Sequence, residues 1–310
     1  ARIDDAGMLV VGPESAGADP GPICYGRGGR QPTMTDANLV LGRLDPDDLL
    51  AVDNPVSRDQ VCELLAQHIG APLGLDGEQA AAAILRVGNN LMAGAIRMVS
   101  LARGHDPRDF KLFAFGGAGP MHAAALAREL GIPEVLLPAR PGITNAIGCL
   151  SADVRHDYVN TLNVLLADLD IDMARQIIAD QIASGRRTIE REAVAVEEIE
   201  FLHFADLQFQ GQTHVLTIPV PGQALTVEEL RSAFAEAYWR RFMVELPEIR
   251  PLLVNLHTAA IGRRPGFDLA TLASGHRAAT LAEAEIARWR TWFSEGWAET
   301  PVYARDRLPS

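Results

Sequence analysis

The stretch 113–127, FAFGGAGPMHAAALA, decides how this chain is read. An apolar segment ends at Phe115 and passes through Gly116, Gly117, Ala118, Gly119 and Pro120 into a run of small residues suited to a helix. Glycine has no Cβ, so the backbone at such a bend can approach a ligand closely. The bend also aims the positive end of a helix at whatever occupies it, which suits a nucleotide. Many α/β proteins use the same junction only to pack a helix on a sheet, so the spacing alone leaves both readings open.

Working outward, Ala83, Ile84, Val87, Leu91, Ala95 and Met98 recur at helical spacing and predict a long helix from Asp76 or Gly77 to about Arg103. Asp109–Phe115 reads as a buried strand, Pro120–Leu130 as a helix closed by Gly131, and Glu134–Leu137 as a second strand. Pro141–Leu150 reads as a turn into a helix. This alternation is the mark of an α/β layer with a parallel sheet, where ligands sit at the carboxyl ends of strands.

Upstream, Met8–Val11 reads as a short strand, and residues 12–33 as a Gly/Pro-rich loop. A loop of that length without periodicity of its own is functional or disordered. Its Cys24, Tyr25 and Arg27 favour order. Thr35 or Asp36 is expected to cap the next helix, and Ser57 the one after it. Downstream of Tyr158 the pattern changes. Asp168 to about Val194 reads as one amphipathic helix. Glu197–Phe209 and His214–Pro219 alternate in period two around Gln210-Gly211-Gln212, as a hairpin does. Val227–Phe242 reads as a helix and Pro251–Ile261 as a strand. The expected division is therefore 1–158 for the α/β part and 159–310 for a smaller α+β domain with a tail. Trp289, Trp292 and Trp297 of the tail are expected to cover an apolar surface of this chain or of a partner.

The 310 residues carry 28 basic and 40 acidic side chains, a formal net charge of −12. That balance argues against nucleic acid or an anionic membrane as partner. The apolar share of 48% supports a sizeable core. Ala80–Ala102 is apolar, yet it contains Arg86, Asn89, Asn90 and Arg97 and does not read as a membrane span. Three dispersed cysteines, Cys24, Cys62 and Cys149, form no zinc or disulfide pattern and point to a reducing, cytoplasmic setting. The chain opens without an initiator methionine and stops at RDRLPS, so it is expected to be part of a longer polypeptide.

Four segments together carry a resemblance: VGPESAGADPGPICYGRGG (11–29) followed by PTMTDANLVLGRL (32–44); FAFGGAGPMHAAALARELGIPEVLLPARPGITNAIGCLSADVRHDY (113–158); ADLQFQGQTHVLTIPV (205–220); and TPVYARDRL (300–308). In this order they resemble the hydantoinase A family, which includes ATP-dependent N-methylhydantoinase, 5-oxoprolinase and subunits of acetone and acetophenone carboxylases. The resemblance implies a partial actin-like ATPase (ribonuclease H-like) fold, with Gly116, Gly117, Ala118, Gly119, Pro120, Met121 and His122 forming the adenosine-binding turn. It implies ATP and Mg²⁺ as cofactors, with the phosphate-binding loops upstream in a missing N-terminal half of the same subunit. It also implies a hetero-oligomer with a hydantoinase B-type subunit, and a small cyclic amide as substrate. A ketone carboxylase subunit and a non-catalytic assembly module are the alternatives. The chain departs from the family pattern at Thr144-Asn145, where Thr-Ser is usual, and at His257, where Arg is usual. YWRRFMVELPEI (238–249) lacks a glycine usual near the end of its helix.

Ring opening of a cyclic amide needs its carbonyl activated, and phosphorylating the oxygen does that. The chemistry calls for Mg²⁺ on the nucleotide phosphates and a carboxylate base. Glu14, Asp19 and Asp36 are the acids that stand among the upstream glycines. Each also has a plainer reading: a solvated loop acid for Glu14, a turn residue before Pro20 for Asp19, an N-cap for Asp36. Cys24 reads as a buried structural thiol before it reads as a nucleophile. His122 can contact a nucleoside or pack against the strand. Asp153, Arg155, His156 and Asp157 read as an ion-paired boundary between domains, and His203 and His214 as surface residues of the hairpin.

Overall fold

A computed structural model describes residues 1–49, 52–266, 268, 280–294 and 296–309. The chain divides into two compact units: unit 1 comprises Ala1–Asn145 with Leu269–Ser310, and unit 2 comprises Ala146–Asp268. The division differs from the one expected at 158/159. The tail groups with the first part of the chain because its backbone is hydrogen-bonded there, as described below.

Unit 1 opens with two short antiparallel strands, β1 (Arg2–Ile3) and β2 (Leu9–Val10). Helix α1 (Met34–Val40) begins at Thr33 and not at Thr35 or Asp36. Thr33 and Asp36 form a reciprocal capping box, so Asp36 serves three residues into the helix. Helix α2 (Arg58–Leu65) is capped by Ser57 and continues through a π turn over Ala66–Gly70 into α3 (Ala71–Leu73). Asp76 and Gln79 form a second capping box at the start of α4 (Gly77–Leu101). Ile84, Leu85, Ala80 and Ala81 of α4 pack with Leu39, Leu41, Val61, Leu65 and Ile69 in one buried cluster.

The parallel layer is present but small. β3 (Leu112–Phe113) pairs in parallel with β4 (Val135–Leu136), joined by α5 (Gly119–Leu130), which Gly131 ends in the left-handed conformation. β3 is two residues of the seven expected from 109–115, and neither it nor β4 is buried: Phe113 of β3 is 45% exposed and Leu136 of β4 53%. With one neighbour each, β3 and β4 extend only as far as their ladder reaches. Residues Pro141–Ile143 make a 3₁₀ turn leading to α6 (Thr144–Ser151).

Unit 2 is built on a four-stranded antiparallel sheet in the order β5 (Val154–Leu165), β8 (Pro251–Arg263), β6 (Glu198–Phe209), β7 (Leu216–Val220). Sequence reading missed β5, because Arg155, His156 and Asp157 mask its period of two. Helix α7 (Ile171–Arg191) is capped by Asp170 and buries Ala174, Ile178, Gln181, Gly185 and Ile189 along one stripe. Helix α8 (Val227–Phe242) has the bounds expected, with a capping box from Thr226 and Glu229. Both helices share a core with the sheet, in which Phe234 and Tyr238 meet Phe209 at ring separations of 5.0 and 4.8 Å. α8 ends on Met243 at φ 56, the left-handed position where the family pattern leads one to expect glycine.

The tail returns to unit 1 as α9 (Leu281–Ala284) and an antiparallel hairpin, β9 (Glu285–Phe293) and β10 (Gly296–Tyr303). Trp292 N–H donates to Leu41 O at 2.9 Å, and the Thr291 hydroxyl donates to Gly42 O at 3.1 Å. A Cβ on Gly42 would lie 2.2 Å from Arg290 O, so only glycine permits this approach. The tryptophans thus meet the end of α1.

Candidate functional site

β3 positions the glycine bend at its carboxyl end. Gly116 takes φ 83 and its N–H donates to Pro141 O at 2.8 Å, which ties the bend to the second Pro-Gly segment. The left-handed φ explains this glycine without a ligand. Gly117 and Gly119 have no such explanation: a Cβ at either meets nothing within 4 Å. They do not pack α5 on the sheet, and the space beside them is open.

The start of α5 is open as well. Ala118 occupies the N-cap and offers no side-chain acceptor, and Pro120 has no N–H. Among the described residues, no intramolecular hydrogen bond takes up the N–H groups of Gly117, Ala118 or Gly119. Gly117, Ala118 and Gly119 are exposed, and Gly116, Pro120 and Met121 half-buried. Free amides at the positive end of a twelve-residue helix are suited to an electronegative group. The bend thus offers open space lined by unclaimed backbone donors at the carboxyl end of β3.

His122 does not stand open at the bend. It is buried, and Nδ1 lies 2.8 Å from Asn89 Oδ1 on α4. Burial, and then the Arg43 guanidinium, push its pKa below the ordinary histidine value, so it is neutral and donates to the amide oxygen. Its role is to join α5 to α4.

The structure does not bring Glu14, Asp19 and Asp36 together as a metal or acid–base group. Glu14 is exposed and lies 3.7 Å from Arg2. Asp19 is exposed in the loop. Asp36 is fully buried, and its carboxylate accepts from Ile23 N (3.2 Å), Cys24 N (2.8 Å), Thr33 N (2.9 Å) and Thr33 Oγ1 (2.7 Å). Those four bonds commit Asp36 to holding the 23–25 turn against α1, leaving it no free lone pair aimed at solvent. Among the described residues, no group of three or more His, Cys, Asp or Glu side chains could hold a metal ion. Cys24 is buried beside Asp36. Burial, and then the neighbouring carboxylate, raise its thiol pKa far above the ordinary value, which makes it inert.

In unit 2, Asp153, Arg155 and His156 enter ion pairs or hydrogen bonds with Arg263, Asp157 and Glu192 on the sheet and α7. His203 Nδ1 lies 2.9 Å from the Thr258 hydroxyl, which donates to Gln181. His214 stacks near Phe242 at 5.6 Å. Sequence reading missed the arrangement around Asp206. This buried carboxylate accepts from His257 Nε2 (2.5 Å), Asn255 Nδ2 (2.8 Å) and the Thr217 hydroxyl (2.6 Å). The signal for it was period two itself, since Asp206, Asn255 and His257 share one face of adjacent strands.

Comparison with known proteins bears on the same residues. Residues 1–158 match the family model described as hydantoinase/oxoprolinase. The alpha subunit of caprolactamase from Pseudomonas jessenii is 34% identical over 314 residues, covering 99% of this chain and 45% of the relative. The gamma subunit of acetophenone carboxylase from Aromatoleum aromaticum is 31% identical over 329 residues, covering 99% of this chain and 44% of the relative. The crystal structure of the ATP-dependent caprolactamase from Pseudomonas jessenii superposes with a TM-score of 0.73 at 33% identity, over 99% of this chain and 45% of that one. The chain therefore spans a little under half the length of these relatives. No helix among the described residues is long and apolar enough to cross a membrane.

Proposed function

This chain belongs to the hydantoinase/oxoprolinase family, and we propose that it supplies the adenosine end of an ATP site in a subunit that opens a cyclic amide. The open bend from Gly116 to Gly119, with three unclaimed amides and no room taken on its ligand side, carries this reading. Bound nucleotide would furnish the phosphoryl group that, on the amide oxygen, activates the carbonyl carbon toward water so that the ring C–N bond can break. The chain's own part is to hold the nucleoside. Gly117, Ala118 and Gly119 donate backbone hydrogen bonds, Gly116 and Pro141 fix the bend, and His122 locks α5 to α4 behind it. The β3–α5–β4 piece is read here as part of an actin-like ATPase layout. The phosphate and Mg²⁺ ligands are assigned to polypeptide outside this chain, and with them the catalytic base.

Two further parts of the proposal follow from the relatives. Their alpha and gamma subunit names support a hetero-oligomer; a B-type subunit is the partner in this reading, and the dispersed cysteines place it in the cytoplasm. The acetophenone carboxylase gamma subunit, at 31% identity, favours a second reading in which the activated carbonyl is a ketone's. Bicarbonate-dependent ATP hydrolysis with a ketone supports that one, and lactam- or hydantoin-dependent hydrolysis supports the first.

Binding of a fluorescent ATP analogue to wild type and Gly117→Val is the test. A Cβ at this position meets no protein atom within 4 Å, and the melting temperature checks that the fold is kept. The expected result is a loss of affinity of about tenfold or more with an unchanged melting temperature. Equal affinity in the two proteins removes the adenosine assignment.

A further inference from the structure

A half-open cavity of about 440 Å³ in unit 1 is lined by the tail hairpin, the turn after α1 and the starts of α2 and α4. It shares no residue with the glycine bend. Trp289 and Trp297 line it, together with Arg58, Glu78, Asp45 and Arg290. Its size falls in the range of small-molecule sites.

The charges lining it fall into two kinds. Arg58 and Glu78 neutralise one another at 3.0 Å, and the Arg58 Nε–H is spent on Val40 O at 2.9 Å. Arg290 and Asp45 are not neutralised in this way. The Arg290 guanidinium lies over the Trp297 ring at 5.4 Å and has no carboxylate partner among the described residues. Asp45, half-buried, accepts only from the backbone N–H of Asp47 at 3.0 Å and has no cationic partner among the described residues. The cavity therefore presents one uncommitted cation, one uncommitted anion and indole walls. An anion alone would meet Asp45 and Glu78, and a cation alone would meet Arg58 and Arg290. A molecule carrying both charges on a short apolar body satisfies all of them.

We propose that this cavity binds a small zwitterion of the amino-acid class, its carboxylate on Arg290, its ammonium on Asp45 and its methylenes against the tryptophans. The site stands on its own geometry. Only its meaning rests on the reading above, because hydrolysis of a lactam releases a zwitterion of this kind, which makes the cavity a candidate product-sensing site.

Titration calorimetry of the 310-residue chain with 4-aminobutanoate and 6-aminohexanoate tests it, with hexanoate and hexylamine as single-charge controls. At least one amino acid is expected to bind about tenfold or more tightly than either control. Asp45→Asn retains an oxygen for the Asp47 amide and removes only the charge. It should erase the advantage over hexanoate, while Arg290→Gln erases the advantage over hexylamine. Circular dichroism confirms that both variants fold. Failure of every zwitterion to bind, or hexanoate binding as well as the zwitterions, overturns the proposal. Because no nucleotide is present, either outcome is independent of the ATP reading.

Discussion

Glycine stands where a helix adjoins a strand in both units, inside α7 in one and at the entry to α5 in the other, and does opposite things. In unit 2, a Cβ on Gly185 of α7 would lie 2.5 Å from Ala260 Cβ on β8. The residue is small because a helix and a sheet need to touch. In unit 1, a Cβ on Gly117 or Gly119 meets nothing within 4 Å. The two readings that a glycine-rich junction leaves open in sequence are separated here by what lies around each residue. The packing glycine is filled by its own protein, whereas the glycines of the bend face space.

The contrast extends to the polar groups. Gln181 of α7 lies in a closed network with Asn160, Thr258 and the Leu256 carbonyl. Near the bend, amides are left unclaimed and Phe113, Phe115 and Leu136 are exposed. Contiguous apolar surface of that kind marks a place where something else binds.

The largest expected effect tests whether the upstream loop belongs to the rigid part of unit 1. Asp36→Ala strands three backbone N–H groups and the Thr33 hydroxyl, at a cost of about 4 kcal/mol in urea unfolding. A change below about 1 kcal/mol would return Asp36 to the list of free acids. Next comes Gly185→Ala, which forces overlap with Ala260 and is expected to cost about 2 kcal/mol. Gly117→Ala is its counterpart and should change stability by less than about 0.5 kcal/mol. Equal costs at the two positions would break the distinction drawn above.

A pH titration separates the units in another way. Burial pushes the Asp206 carboxyl up, but the bonds from Asn255, Thr217 and His257 outweigh it and hold its pKa below the ordinary aspartate value of 3.8. A depressed carboxyl contributes stability that is complete above the unfolded value and is lost as pH falls through the folded one. Unit 2 is thus expected to lose this contribution only below pH 3.8. His122 in unit 1 is held neutral by burial and Arg43, so protons favour the unfolded state once pH drops below 6.5. His122→Gln should flatten the acid limb of unit 1 between those two values, and an unchanged limb would remove its part. The smallest effect is a gain: Met243→Gly relieves a left-handed backbone and should stabilise by about 0.5–1 kcal/mol in thermal unfolding.

Much of this could be read from residues alone. α8 matched its expected bounds because Thr226 and Glu229 mark its start and an apolar stripe marks its body. The start of α1 was misplaced by two or three residues, although Thr33-x-x-Asp36 is a capping box in plain view. β3 was drawn too long because an apolar run reads as a buried strand, whereas its extent is set by a partner strand that pairs only two residues. The tail's place in unit 1 was not legible at all. Nothing local in 285–303 says that Trp292 will donate to Leu41.

That last bond has a consequence for synthesis. It lies beside the Thr291–Gly42 bond, which joins positions 249 apart in the chain, and the whole of unit 2 is encoded between the partners of both. On a ribosome, unit 2 can fold while the first part of unit 1 still waits for its final hairpin. Closing so long a loop makes the hairpin's docking the late step, so a stop codon before residue 285 would release a chain with unit 2 intact and the end of α1 bare.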